Sequence, residues 1–90
     1  MVTMFVKNSV KDYRTWKQVY DKVRPLRNRA GVIDAHVFHD TAKDHDVIIT
    51  HSFKNAASAM AFANSSDLKA AMTDAGVTAP PEFWFGEEVE

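Results

Sequence analysis

Four short runs of alternating apolar and polar residues predict β-strands. They cover residues 2–7, 32–39, 47–53 and 82–89. The third run is apolar at consecutive positions in its first half, which is typical of a central strand covered on both faces. Residues 40–44, between the second and third runs, are few and polar. These two strands are therefore expected to form an antiparallel hairpin.

The segment between the first two strands has the 3.6-residue period of an amphipathic helix. Asp12 suits the N-cap because its carboxylate accepts amides of the first turn, and Gly31 suits a left-handed C-cap. Pro25 falls inside the pattern and predicts either a kink or one loosened turn near Asp21, because proline has no amide hydrogen. The apolar stripe consists of Tyr13, Trp16, Val19, Tyr20, Val23, Leu26 and Ala30.

A second, alanine-rich helical segment follows the third strand. Asn55 is the expected N-cap, and Gly76 ends the segment. The polar residues 64–66 predict a break in the middle, where Ser66 can start the helix again as a new N-cap. Small apolar side chains allow this segment to lie close to the central strand.

The predicted order of elements is β-α-β-β-α-β. A right-handed crossover places the first two strands parallel with a gap between them, which the antiparallel third strand fills. The expected fold is a ferredoxin-like α+β sandwich, a four-stranded sheet with its helices on one face. With 90 residues, the chain is expected to form a single domain, residues 1–90.

Strand alternation divides the predicted sheet into an apolar face and a mixed face. We expect the helices to cover the apolar face and to form the core with it. The apolar face holds Val2, Met4, Val6, Ile33, Ala35, Val37, Val47, Ile49, Phe53, Phe83 and Phe85. The mixed face holds Thr3, Phe5, Lys7, Asp34, His36, Phe38, Ile48, Thr50, Ser52, Glu82 and Trp84.

The mixed face, which we call the open face, is too aromatic to be left in water. An apolar patch of this kind is typical of a protein–protein interface. We therefore expect the open face to pack against a second copy of the chain and to form a homodimer. The expected interface residues are Phe5, His36, Phe38, Ile48, Thr50 and Trp84.

The composition of the chain indicates its cellular compartment and excludes some classes of partner. The formal net charge of −1 argues against a nucleic-acid partner, which would require a basic surface. The chain contains no cysteine, so disulfides and thiolate metal sites are excluded and a reducing cytoplasm is the expected location. No apolar run is long enough to cross a bilayer. The N-terminal run also lacks the features of a signal peptide.

Five segments of the chain carry a resemblance to a known family, namely residues 10–16, 51–57, 66–72, 76–77 and 80–82. With the predicted order of elements, they resemble the dimeric α+β barrel proteins of the antibiotic biosynthesis monooxygenase-like family. The resemblance covers nearly the whole chain. It is specific for fold and dimer, and it indicates the reaction poorly. Members include cofactor-free oxygenases of aromatic polyketides, haem-degrading oxygenases and proteins with no known activity.

The resemblance also argues against a haem oxygenase. The haem-degrading relatives use an asparagine on the first strand, a tryptophan in the second helical segment and a histidine after it. This chain has Phe62 at the tryptophan position and Met72 at the histidine position. Asn8 lies near the asparagine position. We therefore expect no haem cofactor.

His51 is the best candidate for a catalytic residue, because the alternation of side chains along its strand places it on the helix-covered face. Met4 and Ala35 are its expected cross-strand neighbours, and a small neighbour leaves room for a ligand pocket. The alternative is a histidine at the edge of the core, bonded to a backbone carbonyl or to water. Trp16 and Tyr20 belong to the apolar stripe of the first helix, and their side chains can pack in the core or line a pocket. The expected ligand-binding set is Asn8, Tyr20, His51, Phe62 and Met72.

Metal-ligand residue types cluster around the predicted hairpin, but their spacing fits no established motif. No metal is therefore expected. The residues concerned are His39, Asp40, Asp44, His45 and Asp46.

Three functions remain open. The first is a cofactor-free, oxygenase-like homodimer that acts on a planar aromatic or enolisable molecule, with His51 or a tyrosine assisting deprotonation. The second is a module that binds a small hydrophobic ligand without chemistry. The third is a purely structural dimer.

Overall fold

The computed structural model describes all 90 residues, Met1 to Glu90. It contains four strands and four helices. In chain order they are β1 (Val2–Ser9), α1 (Tyr13–Lys22), α2 (Arg24–Ala30), β2 (Asp34–His39), β3 (Asp46–Phe53), α3 (Ala56–Ala63), α4 (Ser66–Asp74) and β4 (Glu82–Glu87). None of these helices is both long enough and apolar enough to span a membrane.

The strands form one antiparallel sheet in the order β2-β3-β1-β4. This is the predicted ferredoxin-like βαββαβ arrangement, and the prediction is confirmed. The register is also as expected around the central strand. His51 of β3 pairs with Met4 of β1 on one side and with Ala35 of β2 on the other.

The first helical segment is broken rather than bent. α1 ends at Lys22 and α2 begins at Arg24, with Val23 outside helical geometry between them. Pro25 lies in the first turn of α2, where its missing amide hydrogen costs no helical bond. The Asp12 N-cap is confirmed, because its carboxylate accepts the Thr15 amide at 3.0 Å.

The second segment is also broken, as predicted, but its second N-cap is one residue earlier than expected. Asn55 caps α3 and accepts the Ser58 amide at 2.9 Å. α4 is capped by Ser65, whose hydroxyl accepts the Leu68 amide at 3.1 Å. The predicted cap, Ser66, is wrong because this residue is already helical while Ser65 is extended.

The core lies where α1 and α3 cover the two central strands. Phe53, Met4 and Val47 are fully buried there. The buried apolar cluster consists of Val2, Met4, Val6, Val10, Trp16, Val47, Ile49, Phe53, Ala59, Phe62 and Ala75.

Three residues assigned to the core by strand parity are exposed instead. Ile33 is 59% exposed, Phe85 is 39% exposed, and Ala35 is also exposed. They belong to the outer strands or lie beside them, and the helices pack mainly over β1 and β3. Parity thus placed these side chains on the correct face, but not under a helix.

The open face carries the predicted aromatic patch. Phe5, Phe38 and Trp84 are all exposed in the single chain, and Ile48 is half-buried. Phe5 pairs across the sheet with both Thr50 and Trp84. The patch is therefore continuous over neighbouring strands.

Candidate functional site

A cavity of about 50 Å³ lies between the sheet and the helices, and its walls are mainly apolar. This volume holds only a few water molecules. The five residues predicted as a ligand-binding set all line it: Asn8, Tyr20, His51, Phe62 and Met72. Strands β1 and β3 contribute the two polar residues of the sheet, and the helices contribute the other three.

His51 and Tyr20 form a hydrogen-bonded pair on the cavity wall. The Tyr20 hydroxyl lies 3.0 Å from Nε2 of His51, and the two rings are nearly parallel with centroids 6.0 Å apart. His51 is only 4% exposed, and its second ring nitrogen, Nδ1, is buried without a partner. The histidine is therefore bonded to a side chain of the cavity through one nitrogen and has unused hydrogen-bonding capacity on the other.

Both members of this pair are neutral at neutral pH, and burial moves the pKa of each further from 7. Burial, with a smaller contribution from the positive charge of Arg27, lowers the pKa of His51 to about 4. Burial also raises the pKa of Tyr20, an effect that Arg27 opposes. Both shifts follow from the cost of placing a charge in an apolar environment.

Asn8 supplies another polar atom without a partner. The side chain is 4% exposed, and its Oδ1 is buried with no hydrogen-bond partner. The predicted first strand ended before Asn8, whereas β1 continues to Ser9 and pairs Asn8 with Val47. The alternation of β1 thus places Asn8 on the helix-covered face with Met4 and Val6. Buried polar atoms normally have partners, so an orphan beside a cavity indicates a site for a ligand or water.

Aromatic rings support the pair from both sides. Trp16, which is 3% exposed, stacks on Tyr20 with ring centroids 4.8 Å apart. Phe62 lies on the other side of His51, at 5.8 Å between ring centroids. Trp16 therefore belongs both to the core and to the cavity wall. This packing fixes the orientation of the Tyr20 and His51 rings.

Arg27 is the cavity residue that sequence reasoning missed. It is 6% exposed, donates a hydrogen bond from Nη1 to the Tyr20 carbonyl, and places its guanidinium carbon 3.7 Å from the Tyr20 ring centroid. It follows Tyr20 by seven positions, which is about two helical turns. That spacing was the available signal, although an arginine in a helix is usually solvated.

Two acidic residues of the hairpin, Asp40 and Asp46, form ion pairs with Lys7. Lys7 lies 3.3 Å from Asp40 and 3.7 Å from Asp46. The Ser9 hydroxyl donates to Asp46 at 2.8 Å. No three histidine or acidic side chains are close enough together to hold a metal ion.

Comparison with known proteins identifies the family. A family model described as antibiotic biosynthesis monooxygenase matches residues 4–74. The chain belongs to this family. No curated protein matches it.

Solved structures agree with this fold. A Bordetella bronchiseptica protein named for the same family is 16% identical, with 99% of this chain and 97% of that chain covered and a TM-score of 0.82. SnoaB from Streptomyces nogalater, described as a cofactor-independent oxygenase, is 13% identical, with coverage of 99% and 93% and a TM-score of 0.78. A Nitrosomonas europaea protein of unknown function is 18% identical, with coverage of 99% and 89% and a TM-score of 0.77.

Added haem is expected to remain intact in the presence of this protein and a reductant. Phe62 and Met72 line the cavity. By the resemblance described above, they replace the tryptophan and the histidine of the haem-degrading relatives. The decay of the Soret absorbance checks this, and it should be no faster than in buffer. Protein-dependent formation of a bilin-like product would contradict the prediction.

Proposed function

We propose that this protein is a small homodimeric, cofactor-free oxygenase-like protein that acts on a planar aromatic or enolisable molecule. The observation that carries the proposal is the His51–Tyr20 pair on the wall of an apolar cavity. Membership of the antibiotic biosynthesis monooxygenase family supports it. It is also supported by the structural neighbour SnoaB, which is described as a cofactor-independent oxygenase.

The proposed chemistry begins with proton transfer to His51. In the tautomer that carries its proton on Nε2, this N–H donates to the Tyr20 oxygen, and Nδ1 keeps a free lone pair. Nδ1 then accepts a proton from a C–H or O–H group of the substrate, which leaves an enolate or phenolate. This anion combines with molecular oxygen, the oxidant, to give a peroxide anion, which takes the proton back from His51. Loss of water from the resulting hydroperoxide leaves a new carbonyl group on the substrate.

The low pKa of His51 is consistent with such a step. An isolated imidazolium is unfavourable in the cavity, but proton transfer creates an anion next to it, and the two opposite charges stabilise each other strongly in an apolar environment. Tyr20 accepts the Nε2 hydrogen bond throughout. The base is therefore effective only towards a substrate bound beside it.

A second candidate function is ligand binding without chemistry. It is favoured by the same pKa of about 4, because a general base works best when its pKa lies near the working pH. In this case Asn8 and His51 would position a small hydrophobic ligand by hydrogen bonds. The two candidates differ in whether oxygen is consumed.

His51→Gln is expected to lower protein-dependent oxygen consumption by about a hundredfold or more, because a general base typically contributes 10²–10⁴-fold. Oxygen uptake would be measured with a panel of polyphenols and enolisable aromatic ketones, in the presence of a metal chelator. His45→Gln is the matched control, since His45 is exposed in the hairpin and lies outside both the cavity and the open face. Binding of a panel member without oxygen uptake would favour the second candidate. Equal uptake by both variants would contradict the role of His51.

The homodimer and the compartment are also proposals. The exposed aromatic patch of the open face supports a two-fold interface. The absence of cysteine is compatible with a reducing cytoplasm.

A further inference from the structure

Arg27 brings a buried positive charge to the cavity without an acidic partner. The side chain is 6% exposed and lines the cavity. Its only hydrogen bond is from Nη1 to the Tyr20 carbonyl. The N–H groups on Nε and Nη2 have no partner within the protein, but they are not among its fully buried atoms and are therefore open to water or a ligand.

The neighbouring acids are engaged elsewhere. Asp21, in the last turn of α1, is paired with Lys17 at 2.6 Å. Asp34, at the start of β2, is paired with His36 at 3.1 Å. Neither forms an ion pair with Arg27. Buried charges are normally paired, because removal from water is costly without an opposite charge.

Arg27 also borders a second space. A cleft of about 280 Å³ opens between α1, α2 and the edge of the sheet at residues 32–35 and 37, and both Tyr20 and Arg27 line it as well as the cavity. These two side chains are therefore the shared wall between the cavity and the cleft. Lys17 and Arg24 add positive charge to the cleft, against Asp21 and Asp34.

We propose that the ligand of this protein is a carboxylate, with its acid group held by Arg27 at the wall between cavity and cleft and its apolar part directed into the cavity. The guanidinium fork suits this role, because two parallel N–H groups match the two oxygens of a carboxylate. The cavity side of the wall is apolar and contains the His51–Tyr20 pair. This inference rests on the proposed function in that it places the ligand in the same cavity.

Binding of a carboxylate would also enlarge the cavity, which is too small for a ligand in its present form. A cavity of about 50 Å³ is smaller than the usual 300–1,000 Å³ of ligand pockets. A shift of the Tyr20 and Arg27 side chains would join it to the cleft. An acid group that binds Arg27 supplies the differential interaction needed to favour such an open state.

The test compares benzoate with benzamide, which have nearly the same shape but differ in charge. Binding to the full-length protein would be followed by NMR titration of backbone amides, without need of turnover. The wild-type protein is expected to bind benzoate about tenfold more tightly than benzamide, as a charge-assisted pair requires. Shifts should centre on residues around the cavity and cleft.

Arg27→Met is expected to reduce this preference to about twofold or less, because it keeps the length of the side chain and removes the charge. Arg27→Lys should restore part of the preference. Arg29→Met is the matched control, since Arg29 is exposed on the same helix, and it should bind as the wild type does. Amide spectra of each variant would establish that it is folded.

The outcomes separate this inference from the proposed function. Equal affinity of the wild type for benzoate and benzamide at the cavity would overturn the carboxylate proposal and leave the oxygenase proposal standing. A preference that survives in Arg27→Met would also overturn it, because the anion would then bind elsewhere. The expected preference together with an absence of oxygen uptake would support the carboxylate and contradict the oxygenase function.

Discussion

Trp84→Asp is expected to convert a homodimer of the wild-type chain into a monomer or an aggregated species. Trp84 is 51% exposed on the open face of the single chain and pairs with Phe5 on the neighbouring strand. If the open faces pack together, each large apolar side chain of the patch contributes about 1.5–3 kcal/mol by its burial. A two-fold axis uses the same patch on both copies, so the gain is doubled.

The substitution should weaken dimerisation by at least about a hundredfold, because an unpaired charge is costly to bury and the two-fold axis introduces it on both copies. Light scattering at micromolar concentration should give twice the chain mass for the wild type. Met60→Asp is the matched control, since Met60 is an exposed apolar residue of α3, away from the open face. It should remain dimeric. A stable wild-type monomer at the same concentration would contradict the proposed interface.

The strand order could be predicted from the sequence because it depends on local patterns and on chain handedness. Alternation identified the strands, and the short connection in residues 40–44 required a hairpin. The right-handed crossover then left only one place for β3. The cross-strand neighbours of His51, namely Met4 and Ala35, followed from the same pattern and are confirmed.

The exposure of individual core residues could not be predicted in the same way. Parity assigns a side chain to one face of the sheet, whereas burial depends on how far the helices extend over that face. Ile33 and Phe85 lie at the two sides of the sheet, beyond the main helix cover. The lengths and breaks of four short helices decide this, and these are properties of tertiary packing.

The five residues predicted as a ligand-binding set lie around one cavity, but sequence reasoning missed the charged residue of that cavity. Asn8, Tyr20, His51, Phe62 and Met72 were chosen from parity, the helix stripe and the family resemblance, and all line one space. Arg27 lies two helical turns after Tyr20, but as a charged residue it was not assigned to the apolar stripe. In the structure it lies on α2, which starts after the break at Val23, and it is buried against the Tyr20 ring. The sequence predicted a kink at this point but not the orientation of α2 beyond it.

Acidification is expected to destabilise the protein by about 3 kcal/mol, because the pKa of His51 is about 4 in the folded state against 6.5 for an ordinary histidine. Between these two pH values the unfolded chain binds a proton that the folded protein does not. Stability is therefore lost as the pH falls from 6.5, and this loss is complete near pH 4. The carboxylates of Asp12, Asp21 and Asp40, with lowered pKa values, act in a separate window below 3.8.

Urea unfolding between pH 7 and pH 4, at one protein concentration, measures this effect. In His51→Gln the decline over this range should largely disappear, since glutamine binds no proton. Tyr20 and Arg27 are the other titratable groups at the cavity, and both keep their charge state throughout this range. His45→Gln is the matched control, because His45 is exposed in the hairpin, and it should keep the wild-type decline. The same decline in His51→Gln would show that His51 is not held neutral by burial, and it would remove the basis for the proton transfer proposed above.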